Sequence, residues 1–248
     1  MTTGVGIRSA VARAVPGRAF AALMRAIYPR IEVELARLAA WAPRGGTAVD
    51  VGAWYGPWTA RLLRLADRVV TIEANPDLAR LVRASFPAAQ VVEAAASDRG
   101  GTAQLWLPAG GRGAEGTASL EHTAERSRTV QRVTIDSLGL TDVRFIKMDI
   151  EGHEAAALRG AERTIRRDSP MLLLELETRH QRIEDVIGTL AGWGYAGKVM
   201  PGRSWVPLED FDLAAHQRAN LHVAERGMLG RLARPAERYV NLVGFERS

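Results

Sequence analysis

Thr47-Ala48-Val49-Asp50-Val51-Gly52-Ala53-Trp54-Tyr55-Gly56-Pro57-Trp58 reads as a buried strand running into a glycine-bearing turn. Ala48, Val49 and Val51 are small or β-branched, which suits a strand covered on both faces. Gly52 and Gly56 lack the Cβ that would keep the backbone away from a ligand. Thr59 to Leu65 continues with helical spacing, so the unit is strand, glycine turn, helix. In open α/β sheets such a turn lies at the carboxyl edge, where ligands bind.

The next strand, Arg68-Val69-Val70-Thr71-Ile72, ends in Glu73. Glu73 lies about twenty residues beyond the turn, the spacing at which a carboxylate accepts hydrogen bonds from a ribose diol. The ligand is therefore expected to contain a nucleoside. A dinucleotide site requires G-x-G-x-x-G, with the pyrophosphate on a helix N-terminus. Here bulky Trp54 and Tyr55 sit between Gly52 and Gly56, which suits a ligand without phosphates, such as S-adenosylmethionine. Asp50, near the end of the strand, is placed to take the ligand's amino group.

The chain has 248 residues, of which 47% are hydrophobic, enough for one α/β domain with additions. Without cysteine there is no disulfide framework, cysteine metal cage or thiol nucleophile, which fits a reducing compartment. No apolar run approaches the roughly 18 residues of a membrane helix, and the start lacks an apolar leader core. The expected location is the cytoplasm. The net charge of +5 invites a nucleic-acid reading. Against it, the basic residues are almost all arginines, Lys147 and Lys198 being the lysines, and they are dispersed. Attraction of the basic surface to an acidic partner or lipid is the better reading of that charge.

Ile7 to Trp41 is helical in pattern, interrupted at Pro16-Gly17 and Pro29, with an apolar stripe of Ile31, Leu35, Leu38 and Ala39 and with Glu32, Glu34 and Arg37 outside it. A helix covering the sheet edge or the pocket mouth is expected, with a substrate lid, oligomer contact or peripheral membrane helix as alternatives. Pro76 to Phe86 reads as a helix capped by Asn75, and Gln90 to Ala95 as the third strand. Thr102 to Leu107 and Val130 to Ile135 alternate like strands around a glycine-rich insertion, 108–128. Val143 to Met148 is the fourth core strand, followed by a helix over Ala155 to Arg166 and a buried strand from Pro170 to Leu174. Arg182 to Trp193 reads as a helix, and Tyr195 to Met200 and Asn220 to Ala224 as closing strands. These elements divide the chain into an N-terminal helical extension (1–44), a sheet domain (45–226) and a C-terminal extension (227–248). The alternation of strands and helices argues a doubly wound, mostly parallel sheet.

Three segments together resemble the FkbM-type methyltransferases: Val49-Asp50-Val51-Gly52-Ala53, Glu73-Ala74-Asn75-Pro76, and Phe145-Ile146-Lys147-Met148-Asp149-Ile150-Glu151-Gly152-His153-Glu154. The resemblance covers roughly Thr47 to Ala224. It implies a Rossmann-like class I methyltransferase with a seven-stranded sheet, S-adenosylmethionine as methyl donor, and a hydroxyl acceptor on a small molecule, sugar, glycolipid or polyketide. On that reading Gly52, Ala53, Tyr55 and Gly56 face the methionine part, and Glu73, Ala74 and Asn75 lie at the ribose. Ser97-Asp98 occupies the place of the adenine edge. Ser119-Leu120 resembles a Ser-Ser-Leu segment of the family, with Ala118 in place of its first serine.

Asp149 to Glu154 puts three carboxylates and an imidazole within six residues, at the carboxyl end of the fourth strand. Such groups are costly to bury without a task. Asp149 is expected in the pocket, with His153 as the candidate general base and Glu151 as a further candidate. The plainer alternative is that Glu151 and Glu154 serve a helix N-terminus and His153 is structural. Some O-methyltransferases hold a divalent ion with acids ending the fourth and fifth strands. Asp149 and Glu175, with Glu177 or His180, offer oxygen-rich ligands suited to magnesium. The spacing does not demand one, and displacement at a sulfonium needs none. Two other readings share the strand–turn–acid pattern: an NAD-dependent or nucleotide-sugar oxidoreductase, and a non-catalytic nucleoside-binding protein. The absent third glycine counts against the first, and the intact acids against the second.

Overall fold

The computed structural model describes residues 17–108, 117–121, 126–234 and 237–247. Strand β1 (Thr47–Val51) is buried at every position. It pairs in parallel with β2 (Arg68–Glu73) on one side and β7 (Val143–Met148) on the other, with Val49 opposite Val70 and Ile146. Outward from β2 lies β3 (Gln90–Glu93), and outward from β7 lies β8 (Met171–Glu175), both parallel. Because these strands run the same way, Gly52, Glu73, Asp149 and Glu175 all emerge at one edge of the sheet.

Alternate side chains divide between two cores, as the pleat requires. Val49, Val51, Ile146, Met148 and Leu172 face one way. They pack under α6 (Glu154–Arg159), α7 (Glu162–Asp168) and α8 (Ile183–Gly192). Ala48, Val69, Phe145 and Leu173 face the other way, onto Trp58 and Leu62 of α4 (Pro57–Leu62). Leu35 of α2 (Val33–Ala36) and Leu38 of α3 (Leu38–Trp41) complete that second core. Each such aliphatic side chain contributes about 1.5–3 kcal/mol by leaving water. Of the stripe read before the first strand, Leu35 and Leu38 pack on the sheet, Ile31 is half-buried and Ala39 is exposed, while Glu32 and Glu34, read as lying outside it, are buried. The helical pattern before residue 17 lies outside the described residues. The described part begins with α1 (Gly17–Ile27). Helix α5 (Pro76–Ser85) has the expected Asn75 cap, whose side chain accepts from Asp77 N at 3.0 Å.

The glycine-rich insertion grows from a small second sheet. There β5 (Gly101–Leu107) and β6 (Arg126–Val133) form an antiparallel pair, and β4 (Ala95–Ala96) adds to β6. Of the insertion itself, residues 109–116 and 122–125 lie outside the described residues.

Two readings are corrected. Asn220 to Ala224 is not the closing strand; it belongs to α9 (Leu213–Glu225). The buried positions of α9, Leu213, Gln217 and Val223, follow a helical period, but one of them is a polar glutamine and the apolar signal is broken. Gln217 Nε2 donates to the carbonyls of Leu176 (2.7 Å) and Val240 (3.2 Å), which is how a glutamine is tolerated there. The antiparallel strand is β11 (Leu242–Arg247), in the stretch read as a C-terminal extension. It inserts between β8 and β9 (Tyr195–Val199). With the two-residue β10 (Val206–Pro207) outside β9, the sheet has eight described strands rather than seven, in the order β10-β9-β11-β8-β7-β1-β2-β3.

Secondly, the helix read over Ala155 to Arg166 is two helices broken after Arg159. A Cβ on Gly160 would stand 1.9 Å from the Ser97 carbonyl oxygen, so the backbone passes too close for any side chain. The second helix starts on Asp136, whose carboxylate accepts from Arg163 N and Thr164 N.

After the last described helix, α10 (Gly227–Ala233), the C-terminal segment returns beside the N-terminal one, with Leu242 packed in the same core as Leu35 and Leu38. Arg238 Nη2 lies 3.1 Å from the buried Glu34 carboxylate, tying the two together. No helix among the described residues is long and apolar enough to cross a membrane.

Candidate functional site

A cavity of about 300 Å³ opens at the carboxyl ends of the parallel strands. Along the sheet its floor runs from Ala94–Ala96 after β3, past Glu73 of β2 and Gly52–Trp54 after β1, to Lys147 of β7 and Asp149 just after it, and to Glu175 of β8 and Glu177 beyond its end.

Gly52 has a left-handed φ of +77°, and a Cβ there would stand 1.9 Å from the Asp149 carbonyl oxygen. The turn must be glycine because it crosses the backbone following β7, as well as to admit a ligand. Gly56, also at +77°, does not line the cavity; a Cβ there would meet the Phe86 ring at 2.4 Å. Its role is to start α4. Trp54 holds a left-handed φ of +52° without being glycine, and its backbone N donates to Glu73 Oε2 at 2.8 Å. Its ring lines the cavity, packed on Tyr28 and Tyr55. Tyr55 turns the other way, onto Phe20, and is absent from the cavity wall.

Glu73 stands where the sequence placed a ribose acceptor. Its Oε1 accepts from Asn75 N and its Oε2 from Trp54 N, both at 2.8 Å. Burial pushes its pKa up to about 7, although both backbone donors pull it down. Each oxygen keeps a lone pair for a ligand hydroxyl. Ala74 lines the cavity beside it, whereas Asn75 acts indirectly, by orienting Glu73 and capping α5.

Asp50 departs from expectation. It is 0% exposed and does not line the cavity, so it does not reach a ligand amino group. Its Oδ2 accepts from Thr59 Oγ1 at 2.6 Å, and Lys147 Nζ stands 3.9 Å from Oδ1. Lys147, only 2% exposed, donates to the Gly52 carbonyl (3.0 Å) and pairs with Asp149 Oδ2 (3.2 Å). Burial alone would lower the lysine pKa; Asp149, Asp50 and Glu32 outweigh it and raise the value. One ammonium thus links the strand acid, the glycine turn and the cavity acid.

Asp149, Glu151 and Glu175 come together, each offering an oxygen within 4.8 Å of the others. Glu175 Oε1 accepts from Asn241 Nδ2 at 2.6 Å, while Oε2 has no partner among the described residues. Burial, then the neighbouring carboxylates, pushes Glu151 up to about 9 and Glu175 well above the ordinary range. Three hard oxygens in mutual repulsion, one without a hydrogen bond, fit a divalent cation such as magnesium. Of the further ligands considered, His180 Nδ1 lies 3.4 Å from Glu151 Oε2, whereas Glu177 is engaged by Arg179 and Asn241. Glu154, 0% exposed, accepts from Ile150 N and Gly152 N and so fixes the loop that carries Glu151.

His153 belongs to a different network. Its Nε2 is 3.0 Å from Ser97 Oγ and its Nδ1 3.3 Å from Glu121 Oε1. It lines the cavity, but neither nitrogen bonds the acid cluster. Ser97 and Asp98, expected at an adenine edge, do not line it: Ser97 is buried and joins His153 to Asp98. The wall at that end is Ala94, Ala95, Ala96, Leu105, Ala118 and Leu120. Ser119 braces the acid loop instead, donating to the Glu151 carbonyl at 2.8 Å.

Several cavity residues were missed by sequence reasoning. Lys147 carried a signal, being a lysine inside an otherwise apolar buried strand. Tyr28 and Glu32, from before the first strand, and Tyr239 and Asn241, from near the end, carried none. They reach the cavity only because the two terminal segments fold against each other.

The raised carboxylates make the ligand-free protein sensitive to pH. Glu32, Glu73 and Glu154 rise from 4.5 to about 7, and Glu151 rises to about 9. The folded state therefore holds protons that the unfolded state has released, and stability falls as pH rises. Melting temperature, followed by circular dichroism without ligand, is expected to decline from near pH 5 through 7 and onward to 9. A flat profile would contradict this charge arrangement.

A mostly parallel sheet with a glycine turn after its first strand, an acid ending its second and an antiparallel strand inserted near one edge defines a class I methyltransferase fold. The Methyltransferase FkbM domain matches residues 50–196, more than half of the 248-residue chain, and the protein belongs to that family. Among solved structures the chain is similar to methyltransferase FkbM from Methylobacillus flagellatus, at 18% identity and a TM-score of 0.47. That match covers 81% of this chain and 58% of the other, so this chain spans less than two thirds of that protein. It is also similar to a TehB-like SAM-dependent methyltransferase from Corynebacterium glutamicum, at 14% identity and TM-score 0.46, covering 87% of each. No curated protein matches the chain.

Proposed function

We propose that the protein transfers a methyl group from S-adenosylmethionine to a hydroxyl oxygen of a small-molecule, sugar or lipid acceptor. The observation that carries this reading is Glu73, a buried carboxylate held by two backbone donors beside a turn with no phosphate cradle. The nucleoside lies with its base over Ala94–Ala96, its ribose at Glu73 and its methionine over Gly52–Trp54, which leaves Asp149, Glu151 and Glu175 at the methyl end. There the acceptor oxygen attacks the methyl carbon. The carbon–sulfur bond breaks with its electron pair going to sulfur, giving a methyl ether and S-adenosylhomocysteine. The hydroxyl proton passes to the Asp149 carboxylate, and alignment supplies much of the rate. The carboxylates and Arg179 that line the far end favour a polar acceptor group over a bare acyl chain. When bound at Asp149, Glu151 and Glu175, a divalent cation would lower the pKa of the acceptor hydroxyl.

Methyl-labelled S-adenosylmethionine incubated with a panel of glycosides, hydroxylated lipids and macrolides, with Mg²⁺ or with EDTA, tests the reading. Label is expected on a hydroxyl acceptor, with turnover at least about tenfold lower after chelation or in Glu175→Gln, the scale on which disturbing a metal site acts. Turnover indifferent to both would remove the metal. Calorimetry showing tight NAD binding and no heat with S-adenosylmethionine would overturn the methyltransferase reading itself.

A further inference from the structure

Glu32 stands on the N-terminal segment, outside the residues that match the family, and lines the cavity at the methionine end. It is 7% exposed, and its Oε2 accepts from Trp58 Nε1 at 2.9 Å. Trp58 lies in the first turn of α4, directly after the glycine turn, so the bond pins Glu32 beside that turn. Tyr28, one turn earlier in the chain, packs its ring 5.4 Å from the ring of Trp54, closing the same wall. The ion pair of Glu34 with Arg238 anchors the segment from outside.

Glu32 has no cation in ion-pair contact among the described residues. Lys147 and Arg231 attract it from further away, and Asp149, Glu34 and the Tyr28 hydroxyl surround it as well. The Trp58 indole and the Tyr28 hydroxyl both hydrogen-bond to it, but a buried carboxylate with neutral donors and no cation in contact is undercompensated. Burial accordingly pushes it up to about 7. The other acids near the methionine position are already committed: Glu73 to two backbone donors, Asp149 to Lys147, and Asp50 sealed behind that lysine.

We infer that Glu32 binds the α-ammonium of the methionine moiety, taking the part that the sequence assigned to Asp50. The inference rests on S-adenosylmethionine being the donor. The terminal segment thus completes the cofactor site as well as covering the sheet.

Glu32→Gln keeps the side-chain shape and an acceptor for Trp58 while removing the charge. Calorimetry with wild type and variant uses S-adenosylhomocysteine, which carries the ammonium, and 5′-methylthioadenosine, which has the same nucleoside and no amino acid. The variant is expected to bind S-adenosylhomocysteine about 10- to 100-fold more weakly, the scale of a lost charge-assisted hydrogen bond. Its affinity for 5′-methylthioadenosine is expected to match wild type, which also shows that it is folded. Unchanged affinity for S-adenosylhomocysteine, or equal losses for both ligands, would overturn the role of Glu32 alone. Failure of wild type to bind either ligand would overturn it together with the methyltransferase reading.

Discussion

Glu73→Ala is expected to weaken S-adenosylhomocysteine binding by at least about 100-fold, because the change removes two things at once. The ribose hydroxyls lose a charged acceptor, worth about 1.5–3 kcal/mol for each hydrogen bond made. The backbone N–H groups of Trp54 and Asn75 lose the partners that they hold at 2.8 Å. The second loss reaches the whole turn. Trp54 sits at φ +52°, where a residue with a side chain stays only if its surroundings hold it, and the Glu73 bond is part of that hold. The variant should therefore also melt earlier without ligand. Isothermal titration settles the matter: a dissociation constant within threefold of wild type would mean that no ribose lies at the end of β2.

Lys147→Met is expected to destabilise the protein by about 3–5 kcal/mol, the cost of leaving buried carboxylates without their cation. Asp50 is sealed from solvent and its Oδ1 has no hydrogen-bond partner, so it depends on the lysine charge 3.9 Å away. Asp149, 21% exposed and lining the cavity, can rehydrate, so Asp50 should dominate the loss. The double variant Lys147→Met/Asp50→Asn should then recover much of the stability while leaving the glycine turn without its lysine bond to Gly52. Lowering the pH should narrow the gap between single variant and wild type, because an unpaired buried aspartate regains stability by taking up a proton. Urea denaturation of the two variants checks this. A loss below about 1 kcal/mol in the single variant, or a double variant no better than the single, would show that the ammonium does not hold these acids.

Local signals served well where local physics dominates. The strand from Thr47, the turn at Gly52, the acid at Glu73 and the helix capped by Asn75 each depend on residues within a few positions of one another. They failed where a distant group overrides the pattern. Gly160, where the helix ends, is pressed against the distant Ser97 carbonyl and so must be glycine, and the burial of Gln217 is made tolerable by carbonyls of Leu176 and Val240. The partners of His153, Ser97 and Glu121, lie 56 and 32 positions away in the chain, so the network it joins could not be read from its own segment.

From the order of residues alone follow the doubly wound sheet, the family and the glycine turn and acid that end its first two strands, because strand periodicity, glycine freedom and a side chain ending a strand are properties of short stretches. Only tertiary structure decided which acids share the cavity. Asp50 and Glu32 are both carboxylates near the same turn, but the pleat points Asp50 into the sheet against Thr59 and Lys147. The folding of the two terminal segments against each other points Glu32 into the cavity. Burial and charge compensation are set by neighbours distant in the chain, and no reading of one segment contains them.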